Sequence, residues 1–251
     1  MKQNSVFYTL IPSPKPQKRL ELPTSPQHLV MNVRGYDNDI VIRSALFQAD
    51  IHICGCNNTI LIEEDALSRL PTCIQIGDMN TPVFGCTLRI GRGCDLGAAD
   101  IRLFDRGSRI EIGEDCLMSW DVKIWSSDTH SLLDAEGRVC AGKVLHIGNH
   151  VWVGHGVHIG KNSYIADGCV IGWGSTVAGR FETPGSILAG SPARVVKEGV
   201  RWDKRRPDEL LPEREADMAR YADWAEVVPE KEHKRRKSRF RRLLDALFRR
   251  S

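Results

Sequence analysis

Between Ile147 and Val177 a β-branched aliphatic returns every six residues, at Ile147, Val153, Ile159, Ile165, Ile171 and Val177. Each is followed by a small residue: Gly148, Gly154, Gly160, Ala166, Gly172 and Ala178. Three places further on stand Val151, Val157, Ser163, Cys169 and Ser175, again small or β-branched. An α-helix cannot use a period of six, because successive repeats drift around its circumference. A chain that turns a corner every six residues can, with each aliphatic pointing into a shared interior and Gly or Ala giving the tight backbone after it. Three such sides close a triangle, so one coil is three hexads long, and stacked coils pair their strands in parallel. The expected fold class is an all-β solenoid.

Upstream the same signals recur with less regular spacing. Ile40-Val41-Ile42, Ile51-His52-Ile53 and Ile60-Leu61-Ile62 are short apolar runs separated by polar turns. Ile76-Gly77, Ile90-Gly91, Leu96-Gly97 and Ile112-Gly113 repeat the aliphatic–Gly pair, with extra residues placed at corners. The solenoid is therefore expected over 38–200. Residues 1–37 carry Pro12, Pro14, Pro16, Pro23 and Pro26, five of the twelve prolines, and read as an extended arm. Residues 201–251 read as a helical, basic extension, with a helix around Arg214 to Val227 covering the open end of the solenoid. Further on, Phe240, Leu243, Leu244, Leu247 and Phe248 follow helical spacing with Arg and Lys on the other face.

Charge is uneven along the chain. The net charge is +3, yet residues 230–251 hold ten Lys/Arg against three Asp/Glu, a local +7 that leaves −4 for the remainder. Such a body does not suit nucleic acid. The basic stripe over 234–251 suits contact with an anionic membrane surface or, equally, a solvated helix or one that caps the assembly. The apolar run from Val6 to Ile11 ends at Pro12 and is too short for a signal peptide, which sets the expectation of a cytoplasmic protein, peripheral at the inner face of the membrane. The eight cysteines lack paired Cys-x-x-Cys spacing; Cys94, Cys116 and Cys169 fall in the small interior slot and read as reduced core residues.

The register breaks once in the clean part of the repeat. After Ile112, Met118 and Ile124 the chain runs through Ser126-Ser127-Asp128-Thr129-His130-Ser131 and recovers only at Ile147. A protruding loop near 126–146 costs ordering entropy, so it is expected to have a use. The six-residue repeat, the Asp-Thr-His excursion, the segment Ile147-Gly-Asn149-His-Val151-Trp152-Val-Gly154 and the ending Ala-Gly-Ser-Pro-Ala-Arg194 together resemble one family. The chain resembles the hexapeptide-repeat acyltransferases, in the branch of surface-polysaccharide, maltose/galactoside and xenobiotic O-acetyltransferases. That resemblance covers about 76–200 and implies a left-handed parallel β-helix, acetyl-coenzyme A as co-substrate without a metal, and a homotrimer with clefts between subunits.

His130 is the expected catalytic residue. Imidazole is mostly neutral yet basic near pH 7, and transfer of an acetyl group to a hydroxyl needs a base for the hydroxyl proton. In the resembling family the general-base His stands on such a loop, although often before Pro, where this chain has Ser131. Asp128 is expected to orient the imidazole. Trp125 and Trp152 are expected to line the acceptor. By resemblance, His155 and Trp173, three hexads apart, would follow the pantetheine arm with Ala178 and Gly179, and Arg194 and Lys197 would meet the coenzyme A phosphates.

These residues imply an O-acetyltransferase acting on a sugar hydroxyl of a bacterial surface polysaccharide or its precursor. A small-molecule acetyltransferase on the same scaffold is the alternative. A γ-class carbonic anhydrase resembles the same solenoid, and His150 and His155 have the five-residue spacing of two of its zinc ligands, but the accompanying pattern fails at Gly160. A non-catalytic scaffold would keep its register at Asp128–His130.

Overall fold

The computed structural model describes residues 5–11, 13 and 15–210. The chain divides into a unit ending at Trp202 and a second from Asp203 to Ser251. The first unit is a three-sided, left-handed parallel β-helix.

One face stacks Ser5–Leu10, His28–Arg34, Ala49–Cys56, Thr72–Ile76, Ala98–Leu103, Trp120–Trp125, His158–Ile159 and Thr176–Val177. The second stacks Arg19–Glu21, Asp39–Ile42, Thr59–Ile62, Thr87–Ile90, Arg109–Ile112, Val144–Ile147, Tyr164–Ile165 and Arg180–Phe181. The third is shorter, with Leu117–Met118, Trp152–Val153, Val170–Ile171 and Ile187–Gly190 in parallel. Ala193–Lys197 then folds back antiparallel onto Ile187–Gly190.

The hexad sets the register. Ile147 pairs with Ile165, Val153 with Ile171 and Ile159 with Val177, each pair three hexads apart, and all six are buried. Every turn therefore places an aliphatic beneath an aliphatic, which builds one continuous core along the axis. The small residue after the aliphatic is required by stacking. At Gly113 an added Cβ would lie 2.6 Å from the Gly148 carbonyl carbon, and at Gly148 it would lie 2.7 Å from the Asp167 nitrogen. Cys94, Cys116 and Cys169 are buried in the interior slot.

The parallel ladders start well before residue 38, which corrects the expected arm. Leu29, Met31 and Val33 are buried in a strand that pairs with both Ser5–Leu10 and Ala49–Cys56. Pro23 and Pro26 sit between strands, where no ladder hydrogen bond is asked of them. The period-two alternation of His28–Arg34 outweighs the local proline content. These early coils are slightly longer than three hexads, as the register from Arg19 to Asp39 to Thr59 shows, and a buried amide ladder pins them. Asn38 Oδ1 accepts from the Asn58 backbone N–H at 3.0 Å and from its Nδ2 at 3.1 Å, while Asn58 Oδ1 accepts from the Cys86 N–H at 2.9 Å.

Beyond Trp202 the described residues hold one helical turn, Pro207–Leu210. The helices expected around 214–227 and 240–248 and the surface contact through 234–251 lie outside the described residues. No helix among the described residues is long and apolar enough to cross a membrane.

Candidate active site

Lys123 pairs with His158 and Glu111 with His146, in each case across one regular coil plus the excursion. The excursion leaves the first face after Trp125 and rejoins the second face at Val144, so it stands on the edge between them. Its two stems are tied together. Asp105 accepts the Ser127 hydroxyl on Oδ1 at 2.6 Å and the Gly142 N–H on Oδ2 at 2.6 Å. Ser127 and Gly142 are buried, so these charge-assisted bonds have little competition from water. Lys161, on the next coil, donates to the Cys140 carbonyl at 2.6 Å and pairs with Asp128. Asn162 donates to the Ala141 carbonyl at 3.3 Å and accepts the Lys143 N–H at 2.8 Å. The tip is a small turn in which Asp134 accepts the Arg138 N–H at 2.8 Å and its guanidinium at 2.7 Å.

His130 stands exposed on this loop. Thr129, just before it, has φ of 63°, an uncommon conformation for a β-branched residue, held by its N–H on the Ser127 hydroxyl at 2.9 Å. Asp128 departs from expectation: its carboxylate is taken by Lys161 and makes no bond to His130. It ties the loop down rather than orienting the imidazole. A cation so far downstream could not be matched to it until the coil closed.

The other expected residues fall on different edges. Trp125 is half-buried at the foot of the loop, under the Arg102 guanidinium at 4.6 Å, with its indole N–H buried and without a partner among the described residues. Ala178 and Gly179 are exposed on the His130 edge, two coils on from the loop. His155 and Trp173 occupy the edge between the third and first faces, where the Gly174 N–H bonds the His155 carbonyl at 2.9 Å. Trp120 precedes them on that edge, its carbonyl accepting the Gly156 N–H at 3.1 Å. Trp173 is 77% exposed, lying across Gly154, where a side chain would collide with the indole. Arg194, opposite Ala189, is exposed one coil further along this edge, while Lys197, opposite Ile187, is exposed at the far end of its strand. The expected cofactor residues are thus divided, with His155, Trp173 and Arg194 on one border of the first face, Ala178 and Gly179 on the other, and Lys197 at the opposite end of the third face.

Trp152 lies on the third face beside Trp202, with ring centroids 6.0 Å apart. Trp202 stacks on His150 at 4.0 Å and donates its indole N–H to the His150 carbonyl at 2.8 Å. His150 Nδ1 bonds Asp115 at 2.7 Å. His150 and His155 therefore border opposite sides of the third face. His146 stacks on Tyr164 on the second face, and His158 approaches Lys123 on the first. Among the described residues no group of three or more His, Cys, Asp or Glu is placed to hold a metal ion.

Asp105, Lys161 and Trp202 escaped the sequence reading. Asp105 is a lone acid after a strand, and nothing local ties it to Gly142, far along the chain. Asn162, at φ 59°, carried a faint signal as a polar corner residue in the most regular coil.

Comparison with known proteins bears on all of this. The family described as bacterial transferase hexapeptide (six repeats) matches residues 145–179. A polysialic acid O-acetyltransferase of Neisseria meningitidis is 30% identical over 179 residues, spanning 70% of this chain and 80% of its own length. The crystal structure of the polysialic acid O-acetyltransferase OatWY superposes with a TM-score of 0.63 at 27% identity, over 70% of this chain and 82% of that one. The polySia-specific acetyltransferase NeuO shares the fold, with a TM-score of 0.60 at 24% identity over 80% and 91%. With the repeat, the coil register and the loop that interrupts them, these matches show that the chain belongs to the hexapeptide-repeat acyltransferases, among their O-acetyltransferases.

Proposed function

We propose that the protein transfers the acetyl group of acetyl-coenzyme A to a hydroxyl of a bacterial surface polysaccharide, with His130 as general base. One observation carries the assignment of His130: the break in the clean hexad delivers an exposed imidazole on a loop whose two stems are both clamped by Asp105. A polysialic acid chain is the acceptor class suggested by the relative that is 30% identical. The imidazole takes the hydroxyl proton as that oxygen bonds to the thioester carbonyl carbon, and returns it to the departing sulfur as the carbon–sulfur bond breaks. A backbone N–H would meet the oxyanion. No acyl-enzyme is invoked, so each turnover is a single direct transfer.

The exposed edge at Ala178 and Gly179, where the largest side chain is a methyl, is open enough for an extended pantetheine arm, and Arg194 supplies a cation for phosphate. The separation of His130 from His155, Trp173 and Arg194 supports a cyclic homotrimer in which the His130 edge of one copy faces the Trp173 edge of the next. The same reading keeps the enzyme in the cytoplasm, with residues 234–251 on the membrane surface. Acetylation of sialic acid oligomers by acetyl-coenzyme A, followed through thiol release, tests the assignment. His130→Ala should lower kcat by about a hundredfold or more; near-normal turnover in that variant would refute the mechanism.

A further inference from the structure

The amino-terminal coils carry a cavity of about 190 Å³ on the outer side of the first face, which the proposed chemistry leaves unused. Asn32, Arg34, His52, Gln75, Asp78 and Met79 line it. The ladder register brings them together. Asn32 pairs with His52 and His52 with Gln75, so three polar side chains from three successive coils stand in one outward row. Arg34, opposite Cys54, stands in the next outward row, and a turn closed by the Asp78 N–H on the Thr81 carbonyl borders the hollow.

Cations elsewhere on these coils are matched to carboxylates: Arg19 to Asp39, Arg43 to Glu63, Arg69 to Asp95 and Arg102 to Asp100. Arg34 is exposed and makes no ion pair among the described residues, and the side chains of Asn32 and His52 make no hydrogen bond there. Asp78 is the one acid lining the hollow. Its Oδ1 serves its own turn, accepting the Asn80 N–H, the Thr81 N–H and the Thr81 hydroxyl at 2.8 Å each. A guanidinium with no carboxylate of its own presents a fork that a planar carboxylate fits with two parallel bonds. The amides of Asn32 and Gln75 and the second oxygen of Asp78 offer donors and acceptors to hydroxyls. Met79, 64% exposed, gives an apolar wall for a C–H face. One carboxylate, several hydroxyls and an apolar face describe an acidic sugar, and the volume suits one ring rather than an oligosaccharide. A small inorganic anion would use Arg34 and leave the amides and Met79 idle.

The same row continues to the catalytic loop. Gln75 pairs with Arg102 and Arg102 with Trp125, at the foot of the excursion that bears His130. His52 is therefore three ladder steps from Trp125, about 14 Å at about 4.8 Å per step. We infer that the hollow at Arg34 and His52 is a second, non-catalytic binding site for one acidic sugar unit, which retains a long anionic glycan while another part of that chain meets His130. The inference rests on the glycan O-acetyltransferase reading, to which it adds a holding site remote from the chemistry. Such a contact raises the local concentration of reacting hydroxyls, and only for chains long enough to span both places.

The test is calorimetric titration and steady-state acetyl transfer by the full-length protein, with a sialic acid dimer and with long sialic acid oligomers. Arg34→Gln, and separately the double variant Asn32→Ala with His52→Ala, should each weaken binding of the long oligomers by about tenfold and raise their KM by a similar factor. Their kcat, and transfer to the dimer, should stay at wild-type values. Long maltose oligomers, which lack the carboxylate, should show no dependence on Arg34. Wild-type affinity for long oligomers in Arg34→Gln, equal losses for dimer and long oligomers, or no binding of long oligomers by the wild type would each overturn the site. So would a loss that tracks a lowered melting temperature or altered sedimentation. Transfer with affinities insensitive to these variants removes the site and keeps the enzyme assignment. Binding that depends on Arg34, with no transfer to any glycan, does the reverse.

Discussion

Asp105 offers the sharpest test of how the loop is held. Its two carboxylate oxygens join the two stems, one at Ser127 and one at Gly142, each at 2.6 Å. Alanine removes both bonds and leaves the buried Gly142 N–H without an acceptor. A buried orphan costs about 1–3 kcal/mol, and losing the charge-assisted bond to Ser127 adds roughly another 1–2 kcal/mol. The closed loop should therefore weaken by about 2–5 kcal/mol, roughly a 30- to 4000-fold shift toward open forms at about 1.4 kcal/mol per tenfold. The coils themselves remain laddered, with the Ser126 N–H on the Arg102 carbonyl at 2.9 Å, so global melting should change little. The expected outcome is faster hydrogen exchange at Gly142 and a kcat lowered by about tenfold or more, with an unchanged KM for acetyl-coenzyme A. Asp105→Asn, which keeps one acceptor oxygen, should fall between. Wild-type exchange at Gly142 together with wild-type kcat in Asp105→Ala would refute this account.

Other outcomes follow from the same coordinates. Asn58→Ala strips the Cys86 N–H and the Val83 carbonyl of their buried amide partner and should cost about 2–4 kcal/mol in urea unfolding; a loss under about 0.5 kcal/mol would contradict the ladder. Iodoacetamide should label exposed Cys140 first under native conditions, with Cys86 and Cys169 slow, since burial pushes both of those thiols up; equal rates would be inconsistent with the packing. The Asp134 carboxyl is held below its ordinary value by the Arg138 N–H and then its guanidinium. A lowered value means the contact is fully present above the ordinary carboxylate range and is lost as pH falls through the depressed one. Loop-tip exchange protection should thus persist through the ordinary carboxylate range at about pH 3.9 and be lost only at lower pH, and Asp134→Asn, which cannot titrate, should show no such pH dependence.

The division between sequence and structure runs along the chain. From Ile147 to Val177 the spacing alone specifies the coil, because each hexad is a local unit whose stacking partner is a copy of itself. That regularity also exposed His130 as the point where the pattern fails. The amino-terminal coils were less legible. Their prolines dominate the local reading, while the strand His28–Arg34 takes its place from neighbours one coil before it and one coil after.

What only the tertiary structure decided is which side chains meet. Sequence proximity suggested Asp128 for His130, yet closure of the next coil brings Lys161 onto that carboxylate. His155 and Trp173 were correctly placed one above the other, because three hexads make one turn, but their distance from His130 depends on which edge each corner occupies. The hexad determines the triangle, its interior and the position of its break. The contacts that arm the site, Asp105 to both stems and Lys161 across them, join residues more than a coil apart and exist only once the coils are stacked.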